Sequence, residues 1–250
     1  PENKKKGIEL IRKGVKFQNQ RCSYMLGLMY EKGYTFEKNL DSAIYYFEKS
    51  YHDYSDDAMG RLGGIYLDKN REAYDVTKGV SWLEKGVKLL DAFSYYRLGF
   101  YHVFEDKDKT TVKKGIKELE WALQAGYTEA AHALGLYYVD VNLEKARTYF
   151  EKNAKEGNAR SAYRLGITYE AEETLGQKIK WIRQASASGY YLADLEMGHI
   201  FSTDFTPGDE EKRVNYDSAL FYFKSAARKG SKNARSEERR VGKECRSRWS

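Results

Sequence analysis

Proline is nearly missing from this 250-residue chain, occurring at Pro1 and Pro207 and nowhere between. Proline breaks a helix by ring clash and a lost donor, so almost the whole sequence is free to be helical. Cysteine is as scarce: Cys22 and Cys245 are too few and too far apart for a disulfide framework or a thiolate metal site. No stretch approaches the roughly 18 consecutive apolar residues of a membrane helix, which excludes a helical span. There is no phosphate-binding glycine loop with lysine, no nucleophile elbow, no His-Glu-x-x-His and no Cys-x-x-Cys. The four histidines, His52, His102, His132 and His199, are scattered without ligand spacing. Catalytic residues, metal and cofactor are therefore expected to be absent. With 41% hydrophobic and 32% charged residues, the chain can bury a sizeable core, which argues against disorder.

What the sequence does contain is a repeat. Six segments, "YMLGLMY", "GRLGGIY", "YRLGFYH", "HALGLYY", "YRLGITY" and "LEMGHIF", place a glycine at Gly27, Gly63, Gly99, Gly135, Gly166 and Gly198, spaced by 36, 36, 36, 31 and 32 residues. After each comes a second anchor. A small residue at Ala43, Gly79, Gly115, Ala146 or Ala219 precedes bulky residues by three and four positions, as in Tyr46 and Phe47, Trp82 and Leu83, Tyr149 and Phe150, or Tyr222 and Phe223. Trp181 and Ile182 hold these places behind Lys178. Spacings of three and four lie on one helix face, so each unit predicts a helix A with the glycine, a loop, and a helix B with the bulky pair. A helical glycine costs about 1 kcal/mol against alanine, so its return in register predicts close approach of helix A to a neighbour. One pair cannot bury its apolar stripe alone, and stacking of successive units predicts a continuous core.

The pattern Ala-x-x-x-Leu-Gly-x-x-Tyr, a variable loop, then Ala with an aromatic pair and a closing glycine resembles the Sel-one-like repeat family, relatives of the tetratricopeptide repeats. Ala58, Ala130 and Ala193 match the leading alanine, which Cys22, Ser94 and Ser161 replace; Gly126, Gly157, Gly189 and Gly230 match the closing glycine. Cys22, at a helix-A small-residue position, reads as a buried structural thiol. The first two units lack the closing glycine, and His102 stands where the third unit's tyrosine is due. The resemblance implies an all-α, right-handed α/α solenoid of about six helix-pair repeats. The expected divisions are a partial repeat at 1–19 with a leading helix at about Lys6 to Phe17, then repeats at 20–57, 58–93, 94–129, 130–158, 159–192 and 193–230.

The register places the next leucine and glycine at 238 and 239, where Glu238 and Arg239 stand instead. The tail 235–250, "RSEERRVGKECRSRWS", resembles the translation of a common short-read sequencing adapter and is expected to be non-native, the chain being a gene fragment cut at both ends. Its six Lys or Arg against three Glu carry half of the formal +6. The charges elsewhere are interspersed, as on solvated helix faces, so a nucleic-acid partner is not expected. Because the chain opens on Pro1 without a methionine, the missing secretory pattern leaves the compartment open, with the cytoplasm favoured.

Stacked helix pairs put helix A on the concave side, where the tetratricopeptide relatives hold peptides. Positions three before and one after each glycine are expected to face that groove: Tyr24 and Leu28, Gly60 and Gly64, Tyr96 and Phe100, His132 and Leu136, Tyr163 and Ile167, Leu195 and His199. Their aromatics are suited to anchoring a partner. Arg61, Arg97 and Arg164 recur just before the Leu-Gly pair and read as solvated rather than partner-binding, and the long last loop "STDFTPGDEEKRVNYD" reads as a tolerated insertion. The expected role is a non-catalytic scaffold or adaptor binding a protein or peptide. Two alternatives are an accessory repeat region of a larger enzyme or membrane-anchored protein, and a hydrolase of the cysteine-rich repeat type, whose paired cysteines this chain lacks.

Overall fold

The computed structural model describes residues 2–50, 57–106, 108–170, 174–202 and 215–247. His52, the closing position of the first repeat at 54 and most of the long last loop lie outside them. Among the described residues the fold is all-α, with no strand. The helices are α1 (Glu2–Lys16), α2 (Gln20–Lys32), α3 (Leu40–Ser50), α4 (Ala58–Tyr66), α5 (Val76–Lys88), α6 (Ala92–Phe100) and α7 (Val112–Gln124). They continue as α8 (Glu129–Tyr138), α9 (Leu143–Lys155), α10 (Ala159–Ile167), α11 (Leu175–Ala187), α12 (Tyr191–Ser202), α13 (Tyr216–Arg228) and α14 (Lys232–Ser247). The repeated pairs are those of an α/α solenoid, with each even-numbered helix from α2 to α12 as an A and its successor as a B. The chain folds as two compact units, residues 1–130 and 131–250.

Local sequence sets the helix ends. Asn39, Asp75, Asn142 and Asn215 cap the B helices by accepting from the backbone N–H three residues on, at 2.8–3.0 Å. Asn19, Asp91 and Asn158 cap A helices in the same way at 2.9–3.0 Å. The closing glycines Gly126, Gly157, Gly189 and Gly230 take φ of 84–101°, the left-handed stop that glycine adopts without strain. Gln18 and Leu90, at the same register, hold φ of 58° and 59° without that advantage.

The repeated helical glycines meet their own helix B, as their register predicts. A β-carbon at Gly27 would lie 2.7 Å from the Phe47 ring, one at Gly135 2.5 Å from Phe150, and one at Gly198 2.5 Å from Phe223. These partners, with Leu83, Leu119 and Ile182, are fully buried and form the core seam of each pair. The other bulky position of helix B stacks on the aromatic three residues after the glycine: Tyr30 with Tyr46, Tyr138 with Tyr149, and Phe201 with Tyr222, each at 5.7 Å and nearly parallel. In the third repeat His102 and Glu118 take these two places and join instead by a buried 2.7 Å hydrogen bond. A π-helical turn at Tyr101–Glu105 ends that repeat's helix A.

In the first unit, Ala43, Phe47, Ala58, Leu62 and Ile65 make one core cluster, and Leu67, Leu83 and Leu98 another. Cys22, expected to be buried, is half-buried against Gly14 of α1. In the second unit the largest cluster runs from Ala146 and Phe150 to Met197 and Ile200. Buried Asp194 accepts from Ser186, Ser225 and Lys229 at 2.5–2.7 Å, tying α11 and the end of α13 to α12. Helix α14 crosses position 235 and packs on α13, burying Ala234 and Val241.

Candidate functional site

The A helices of the first unit enclose a cavity of about 460 Å³ between α2, α4 and α6, lined also by the loop 67–71 and Glu105. Its floor includes Gly60 and Gly64, two of the positions expected to face the groove, with apolar walls from Ile65, Leu67 and Phe93. Five cations, Lys32, Arg61, Lys69, Arg71 and Arg97, line it with three carboxylates, Glu31, Asp68 and Glu105.

Arg61 lies over the Phe93 ring at 5.3 Å, its Nη1 3.5 Å from Glu31 Oε2. Burial works against its charge, but a hydrogen bond with Tyr24, and the Tyr24, Glu31 and Asp57 side chains around it, outweigh burial and hold the guanidinium above its ordinary pKa. Arg71 Nε donates to Asp68 Oδ2 at 2.9 Å, and its Nη2 is 3.8 Å from Glu31 Oε1. Asp68 is held below the usual carboxylate range, first by the Asn70 backbone N–H and then by Arg71. The Glu31 side chain is only 8% exposed; its Oε2 and the Arg61 Nε are buried without a hydrogen-bond partner. Arg97 lies across Gly64, its Nη2 3.5 Å from that carbonyl, with no carboxylate partner among the described residues. Arg61 and Arg97, read from sequence as solvated, thus line a cavity, whereas Arg164 is exposed.

The remaining groove positions divide between packing and surface. Tyr24 is buried, 5.7 Å from Phe47, and Leu28 is half-buried on the same cluster. Tyr96 and Phe100 belong to an aromatic run on α6: Tyr96 is 4.7 Å from Tyr127, and Phe100 is 4.7 Å from the exposed Phe104. In the second unit Leu136, Tyr163 and Ile167 are half-buried against the main cluster. Leu195 packs over α13 and α14, and His199 meets Phe223 edge-on at 5.2 Å. His132 is half-buried, with Nδ1 2.9 Å from Ser161 Oγ, which accepts from Asn153 Nδ2 at 3.0 Å. Burial, reinforced by Arg164 and Arg160, pushes His132 down to about 4, so its imidazole is neutral and accepts the Ser161 proton.

Sequence reasoning missed Tyr127 and Tyr190, whose rings pack tilted on Tyr96 and edge-on to Tyr163, at 4.7 and 5.3 Å. The signal was there: both stand eight residues before a repeat glycine, where Asn19, Asp91 and Asn158 are caps. It also missed Glu31 and Arg71, which no repeat register marks. Among the described residues no group of three or more His, Cys, Asp or Glu is placed to hold a metal, and no helix is long and apolar enough to cross a membrane.

Three segments of the chain, 21–52, 123–158 and 205–231, match the Sel1 repeat family model. Among solved structures, the chain is similar to a protective antigen of uropathogenic Escherichia coli strains that displays an SLR fold, with TM-score 0.73 and 19% identity. That match covers 95% of this chain but 52% of the antigen, so the chain spans about half its length. A Sel1 repeat protein from Oxalobacter formigenes matches with TM-score 0.69 and 20% identity over 85% of this chain and 89% of that one. An immunity protein from Pseudomonas aeruginosa matches with TM-score 0.56 and 17% identity over 84% and 82%. At these identities the likenesses show the fold. The chain thus shares the helical-repeat fold of these proteins, and three of its segments match the Sel1 repeat model.

Proposed function

We propose that this chain is a non-catalytic scaffold or adaptor that holds a partner protein or peptide against the exposed faces of its A helices. The observation that carries this reading is the recurrence of half-buried aromatics at one register of helix A. Tyr96 and Tyr163, each braced by the tyrosine that precedes the next repeat, offer broad rigid surface with a polar edge. Bracing lowers the entropy lost when a partner is captured.

A peptide array probed with the whole chain tests the reading. Peptides that bind the wild type are expected to bind the Tyr96→Ala, Tyr163→Ala double variant at least about tenfold more weakly, the loss typical of two anchors. Circular dichroism must first show both proteins equally helical. Binding that survives both substitutions would remove the groove assignment. Turnover of ester or β-lactam substrates, lost on point mutation, would overturn the non-catalytic reading.

A further inference from the structure

We infer that the cavity between α2, α4 and α6 is an acidic-peptide site, receiving the side-chain carboxylates of an Asp/Glu-rich segment of the partner. This rests on the proposed scaffold role and names the chemistry of its ligand. Five cations face three carboxylates there, and the carboxylates do not saturate them: Arg71 is paired with Asp68 at 2.9 Å, but the Arg61 and Arg71 contacts to Glu31 are long, at 3.5 and 3.8 Å. Among the described residues the Arg61 Nε is buried with no acceptor, and Arg97 has only the Gly64 carbonyl at 3.5 Å. A guanidinium offers a planar fork of donors matched to a carboxylate, and a bidentate pair is worth more than these loose contacts.

Pre-organisation favours the same occupant. Arg61 is fixed over Phe93, and Arg97 rests across a glycine, where any larger side chain would collide with its guanidinium. The three resident carboxylates make the cavity a poor host for a densely charged polymer such as nucleic acid. They leave an excess of two positive charges, which two carboxylates of a peptide neutralise. The walls of Ile65, Leu67 and Phe93 suit the methylene stems of glutamate rather than a bare inorganic anion.

Fluorescence anisotropy decides the matter, with a fluorescein-labelled, C-terminally amidated octapeptide of alternating Glu and Ala and its Gln-for-Glu counterpart as probes. The Glu peptide should bind roughly tenfold more tightly than the Gln peptide and weaken with added salt. Arg97→Gln and Arg71→Gln should each reduce affinity by about fivefold, with helicity and Tm unchanged. Equal affinity for the two peptides, or an R71Q/R97Q double variant that binds like the wild type, overturns the inference. So does displacement of the Glu peptide by inorganic phosphate at matching concentration, which would make the site one for free anions. If array peptides still bind through Tyr96 and Tyr163 while the Glu peptide does not, this inference falls and the scaffold reading stands. If no peptide binds at all, both fall.

Discussion

Leu90 holds φ at 59°, in the left-handed region where a leucine β-carbon crowds the following carbonyl. Its register is that of Gly126, 36 residues on, and its side chain is 64% exposed, so little packing would be lost by removing it. Leu90→Gly is therefore expected to raise stability by about 1 kcal/mol, the relief of strain exceeding the added entropy of the unfolded glycine, read as a higher urea midpoint at unchanged slope. A lower midpoint would show that Leu90 packs more than its exposure suggests. At His132 the sign is set by a depressed pKa. The unfolded imidazole takes up its proton near 6.5 and the folded one near 4, so the unfolded state binds more protons between these values. The His132 contribution is fully present above about pH 6.5 and is lost as pH falls toward 4. His132→Gln, which keeps an acceptor for Ser161, should flatten the decline of Tm over that window by the equivalent of roughly 2 kcal/mol. An undiminished decline would mean that other groups carry it. The special place of position 90 is visible in the sequence once the repeats are registered. The neutrality of His132 is not, because it depends on burial and on arginines a repeat away.

At the scale of helices, the third repeat departs from its neighbours at the seam between A and B. In the first, fourth and sixth repeats two rings stack; here His102 and Glu118 hydrogen-bond at 2.7 Å with both side chains under 10% exposed. A buried polar pair is costly to break from one side and often cheap to replace whole. Glu118→Ala is expected to destabilise by about 3 kcal/mol, while the double replacement His102→Tyr, Glu118→Tyr restores the stack of those repeats and should return most of that loss. Chemical denaturation of Glu118→Ala and of the double variant reads both, and a double variant no more stable than Glu118→Ala would refute the equivalence. The seam also shows what was legible. Glycines, small residues and bulky pairs recur because every A helix meets its own B helix in the same way, so period alone found them. The exchange of ring stack for hydrogen bond left only a misplaced histidine, with nothing to mark Glu118 as its partner. The cationic cavity was harder still: Arg61 and Arg97 recur, but Glu31 and Arg71 belong to a junction between repeats and share no register.

Across the whole molecule the energetics are those of a row of similar units, each stabilised by its own seam and by its neighbours. Damage placed in one seam should therefore spread to adjacent helices and fade along the chain. Gly166 supplies the test, since a β-carbon there would lie 2.6 Å from Ile182, whose side chain is fully buried and has nowhere to retreat. Gly166→Val is expected to cost about 2–3 kcal/mol by overpacking. Native-state hydrogen exchange then reads where the loss appears. Protection should drop most in α10 and α11, less in α9 and α12, and not at all in α2 to α5, whose core is built from Phe47, Leu62 and Leu83. Because the anionic-ligand cavity lies wholly within α2 to α6 and their loops, Glu-peptide binding should be unchanged in this variant. A uniform loss of protection, accompanied by weaker peptide binding, would instead mean that the repeats unfold as one cooperative body and that the cavity draws its rigidity from the entire array.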